Sequence, residues 1–150
     1  VHRAGDGFAR LDAVRSGCPL TISIRTETDA SCTVVTAKFV GGVAEPCVIE
    51  LNDPARVVVD GTHRDSMPHR ALNDLPKGYS MFVRDLDRAQ LKLAQESYVQ
   101  IDMLAPYEVR VTPHEVQVVL LGICTSTRKL IAAMDLARHI AQSTPRGPYR

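Results

Sequence analysis

Short runs in which apolar and polar side chains alternate every two residues dominate this chain. Leu20-Thr21-Ile22-Ser23-Ile24 places its apolar residues on one side and its hydroxyls on the other, as a strand between a core and water does. Cys32 to Val40 is a second β run, ended by Gly41-Gly42. Cys47 to Leu51 is a third, stopped by Asn52-Asp53-Pro54, and Arg56 to Asp60 is a fourth, closed by Gly61. Each boundary supplies turn-forming residues. Strands this short and this close together predict a meander or sandwich rather than βαβ units. The 17 valines agree, being stiff at χ1 and suited to a pleated surface. With no tryptophan and 5% aromatic residues, the core must be filled by aliphatic side chains.

The remaining segments vary this theme. Phe8 to Val14, bracketed by glycines, is expected to form about two turns of helix. Residues 61 to 78 are rich in turn formers and are expected as a long loop, the segment type that often carries binding residues. In 79 to 104, residues 85 to 97 fit helix and strand alike: Asp85 would cap a helix bearing Leu86, Ala89 and Leu93, whereas Leu91 and Leu93 alternate as a strand would. Val99, Ile101 and Met103 alternate with Gln100 and Asp102, which predicts a strand. Tyr107 to Val111 alternates again, and Val116 to Leu121 reads as a central strand covered on both faces. After Gly122 the period becomes 3.6. Thr125, Ser126 or Thr127 caps a helix running to about Gln142, with Leu130, Ala133, Met134, Ala137 and Ala141 along one side.

The expected fold is therefore α+β and β-dominated, an antiparallel sandwich or partial barrel with a C-terminal amphipathic helix. The length of 150 residues suits a single domain. Its expected parts are a loosely ordered or short helical lead (1–18), a β-rich body (19–123), the helix (124–142) and an exposed tail (143–150). No apolar run reaches the roughly 18 residues of a membrane span. The chain opens on Val1 without an apolar signal-peptide core, as a processed mature form or an excised segment would, and the compartment stays open.

Catalytic arrangements are sparse. No G-x-S-x-G elbow, Walker lysine or G-x-G-x-x-G loop occurs. Cys124 stands before a helix start, where a thiolate is stabilised, but His139 lies several helical turns away, and a core role is expected for the thiol. Cys18, Cys32, Cys47 and Cys124 show no zinc spacing and are expected as free thiols, a bridge between neighbouring strands being the alternative. His63, Asp65 and His69 lack a third histidine nearby, so no metal and no cofactor are assigned.

Charge is distributed unevenly. Residues 124 to 150 carry five basic residues and one acidic, whereas 19 to 123 carry ten basic and fourteen acidic. This asymmetry points to a non-catalytic binding or scaffold module, a subunit of a larger assembly, that docks an anionic partner through a basic helix and tail. Arg128, Lys129, Arg138 and Arg146 are the expected contacts, with His63, Arg64, His69 and Arg70 as a second contact from the loop. A protein partner comes first and RNA second.

From Leu91 to Gln142 the order of a helix or strand, two strands and an amphipathic helix looks like the second half of a KH domain, a family that binds single-stranded nucleic acid. That resemblance covers about a third of the chain and implies a degenerate KH-like RNA binder, because Pro76-Lys77-Gly78-Tyr79 has one glycine where the GXXG clamp needs two. A secreted or periplasmic β-sandwich interaction domain is a further alternative, which disulfides would support.

Overall fold

The computed structural model describes residues 8–27, 30–52, 69–70, 75–85, 95–144 and 147–148. Its first element is a strand, not the expected helix. β1 (Phe8–Arg15) pairs antiparallel with β2 (Cys18–Glu27) through a two-residue turn, Ser16-Gly17, in which both residues have positive φ (50° and 77°). Such a turn matches the twist of the strands it joins. The alternation of Ala9, Leu11 and Ala13 with Arg10 and Asp12 carried the strand signal.

β2 continues into β3 (Ala30–Lys38). The remaining strands are β4 (Cys47–Leu51), β5 (His69–Arg70), β6 (Tyr79–Val83), β7 (Glu108–Val111) and β8 (Glu115–Leu121). All pairings are antiparallel, in the order β1-β2-β3-β8-β7-β4-β6-β5. The β7–β8 hairpin thus lies between the meander β1–β3 and the group β4, β6 and β5. The class is the expected β-dominated α+β, closed by a C-terminal helix. Among the described residues the sheet is open, with β1 and β5 at its ends, and the layer packed on it is helical.

Two helices cover one face. α1 (Gln95–Leu104) replaces the strand expected over 99–103. Its buried residues are Ser97 and Ile101, one helical turn apart, while Val99 and Met103 are exposed. The two-residue alternation of apolar side chains there was coincidental. α2 (Thr127–Ser143) is the expected amphipathic helix, capped by Ser126 and closed by the buried Thr144, whose hydroxyl donates to the Ile140 carbonyl at 2.6 Å. Its buried stripe is Ala133, Leu136, Ala137, Ile140 and Ala141. These pack with Leu20, Ile22, Val35, Ile49, Met81, Val109, Val118 and Ile101 into an aliphatic core. Burying each larger aliphatic side chain contributes about 1.5–3 kcal/mol.

Several expectations are refined. The loop expected over 61–78 contains β5, because His69 and Arg70 pair with Val83 and Phe82. The strand expected over 56–60 lies outside the described residues, as do 86–94. Of the tail, Gly147 and Pro148 are exposed, but Gly147 forms a two-way backbone bridge with Val43 (2.9 and 3.0 Å). None of the four cysteines is in a disulfide; Cys32 on β3 and Cys47 on β4 are separated by two intervening strands.

Candidate functional site

The second face of the sheet holds charge where the pattern of β7 predicted exposure. Glu50, Ser80, Glu108, Arg110 and Gln117 are buried there, beside an apolar cluster of Cys32, Val34, Tyr107 and Val119. Glu50 and Glu108 stand directly opposite each other on β4 and β7, an arrangement of like charges that a sheet resists unless it is compensated. Arg110, one step along the same face of β7, donates from Nε to Glu108 Oε2. The opposite charges at 108 and 110, two residues apart on one strand, were the available signal. This cluster is a buried ionic pair within the sheet.

The basic residues singled out by sequence divide into two groups. Arg138 turns inward. Its Nη2 donates to His139 Nε2 at 2.8 Å, its Nη1 reaches Gln142 Oε1 at 3.3 Å, and it lies 3.7 Å from Asp135 Oδ1. Because a guanidinium only donates, His139 accepts at Nε2 and donates from Nδ1 to Gln100 Oε1 at 3.0 Å. That chain of contacts fastens α1 to α2. Asp135 also receives Arg15 of β1, Nε to Oδ1 at 2.9 Å, and the Arg15 guanidinium holds this carboxyl below its usual range.

Arg128 and Lys129 face outward in the first turn of α2, and among the described residues neither makes an ion pair. The segment leading to them is firmly built. Gly122, at φ 79°, turns the chain out of β8, and its amide donates to the Ser31 carbonyl at 2.8 Å. The Thr33 hydroxyl donates to the Gly122 carbonyl and accepts from the Cys124 amide, both at 2.9 Å. Ser126 then accepts from the Lys129 amide. Two apolar side chains on this segment stand in the open, Leu121 at 51% and Ile123 at 59% exposure. Residues 121–129 therefore present two aliphatic groups followed by two cations.

Electrostatically this helix start is unusual. A helix N-terminus carries partial positive charge and favours acidic residues, yet the first turn of α2 has none and instead holds two cations. The arrangement costs the isolated helix stability and concentrates positive potential where an anion can approach. Among the other sequence candidates, His69 and Arg70 lie in β5 at the far edge of the sheet, and Arg146, His63 and Arg64 lie outside the described residues. Among the described residues, no group of three His, Cys, Asp or Glu side chains converges as metal ligands would, and no helix is long and apolar enough to cross a membrane.

No protein-family model matches the chain, and no curated protein matches it. Among solved structures it resembles the crystal structure of the mycobacterial trehalose monomycolate transport factor A, TtfA. The TM-score is 0.64 at 14% identity, covering 97% of this chain and 79% of that one. At that identity the likeness is one of fold.

Proposed function

We propose that this chain is a non-catalytic binding module, a subunit of a larger assembly, that docks an acidic protein surface through residues 121–129. The observation that carries this reading is the pair Arg128 and Lys129, exposed at a helix start that already bears positive charge. Leu121 and Ile123 beside them add apolar contact area to a charged rim, the composition of a specific docking patch. From the sequence we assign Arg138 and Arg146 as further contacts, and His63, Arg64, His69 and Arg70 as a second contact. Sharing a fold with a protein named as a transport factor supports an accessory role in moving a cargo within an assembly.

The test is a pull-down from the native source, with and without nuclease, using the chain and a variant carrying Arg128→Glu and Lys129→Glu. The expected result is a protein partner that survives nuclease, weakens with salt and is lost on charge reversal, with a flatter salt dependence of what remains. Binding by the variant that is unchanged at low salt overturns the proposal. Retention abolished by nuclease replaces it with the RNA-binding reading.

A further inference from the structure

We propose that β1 is a self-association edge, through which two copies of this chain join their sheets antiparallel about Leu11. β1 ends the strand order, and among the described residues no strand pairs with its outer side. The opposite end of the sheet is closed by β5, only two residues long, whereas β1 offers eight.

The geometry of the hairpin decides which backbone groups are available. Arg15 and Cys18 flank the two-residue turn and form the hydrogen-bonded pair that closes it. Alternation then turns the amides and carbonyls of Leu11 and Ala13 toward β2, and those of Arg10, Asp12 and Val14 outward. Only registers that match outward residues with outward residues can form a ladder.

Charge selects among these registers. Centring the pair on Arg10 sets Arg10 opposite Arg10, and centring it on Asp12 sets Asp12 opposite Asp12; like charges directly opposite destabilise a sheet. Centring it on Leu11 sets Arg10 opposite Asp12 twice, by symmetry, and brings the Val14 position opposite the Phe8 position. The two side chains already lie together on one face, Arg10 Nε 3.2 Å from Asp12 Oδ1, with the Thr21 hydroxyl donating to the same oxygen at 3.4 Å. Leu11 and Val14 are exposed on opposite faces, so both faces of the junction gain apolar cover. Charges commonly guard an open edge against pairing. Here their alternating sign makes the edge self-complementary in the register centred on Leu11, which pairs the most residues of the strand without opposing like charges.

Sedimentation across a concentration series is expected to show a monomer–dimer equilibrium. Amide hydrogen exchange of the unaltered chain tests the edge itself: the amides of Arg10, Asp12 and Val14 gain protection as concentration rises, while those of Leu11 and Ala13 are protected throughout. Arg10→Asp weakens association roughly tenfold, since two attractive cross-strand pairs become repulsive. Combining Arg10→Asp with Asp12→Arg restores association. Chains bearing Arg10→Asp alone and chains bearing Asp12→Arg alone associate with each other better than with themselves. A monomer at all concentrations, a dimer without protection of the outward amides, or association indifferent to these substitutions overturns the proposal.

Discussion

Arg110 shows how much one side chain can be asked to hold. It is among the largest fully buried residues of the chain, and it sits beside Glu108, which in turn faces Glu50 across the β7–β4 ladder. Removing the guanidinium leaves the buried Glu108 carboxylate without that ion pair, opposite a second carboxylate. Arg110→Met is therefore expected to destabilise the fold by about 3–5 kcal/mol, measured by urea unfolding, the cost of breaking a buried pair from one side. Replacing Glu50, Glu108 and Arg110 together by apolar residues of similar volume is expected to cost far less. Sequence could place these residues on a strand but not bury them. The alternation in Glu108-Val109-Arg110-Val111 is the same whether the polar side meets water or a matching charge.

The two helices differ in how plainly they could be read. The stripe of α2 recurs over 17 residues, long enough for the 3.6-residue period to separate from any other. α1 has ten, and only Ser97 and Ile101 are buried, so Val99, Ile101 and Met103 imitate a strand. In β1 the reverse happened: closely spaced glycines concealed an alternation that Ser16-Gly17 turns into a hairpin. The strands over 20–24, 47–51 and 116–121 were legible because turn formers bound them tightly. At the start of α2, Arg128 and Lys129 were legible as charge; the inward turn of Arg138 was not, since it bonds His139, whose ring is in turn held by Gln100 of α1. The helical assignment of 95–104 is directly testable. Ile101→Ala is expected to cost about 2–5 kcal/mol by urea unfolding, as for other large-to-small core changes. Met103→Ala, at a position 82% exposed, is expected to stay within about 0.5 kcal/mol. A strand would expose or bury both together.

The molecule as a whole holds its stability between two titration limits. Burial, with Glu45 nearby, pushes the Cys47 thiol up to about 12, and burial, with Asp102 nearby, pushes the Tyr79 phenol up to about 12. Tyr79 also donates to the Pro106 carbonyl at 2.7 Å, which ties β6 to the end of α1. Both groups keep their protons longer in the folded chain. Their contribution is complete below the ordinary values of 9.0 and 10.0 and is lost as pH rises toward about 12. Asp135 behaves oppositely: its lowered pKa adds stability above the usual carboxylate range, lost as pH falls below it. The urea midpoint is expected to be level between these limits and to decline on either side. Tyr79→Phe makes the alkaline decline shallower, and Arg15→Gln does the same for the acid one.

The place of the β7–β8 hairpin has a consequence for synthesis. A ribosome that has released the chain only as far as about residue 100 has delivered two separate groups of strands, with β3 and β4 each lacking the neighbour that will cover its inner edge. Neither group can be completed until the last third of the chain emerges and threads between them. Raw edges of this kind are where nascent chains stick to one another. A message cut short before that hairpin would yield a product prone to aggregate, not a smaller working domain.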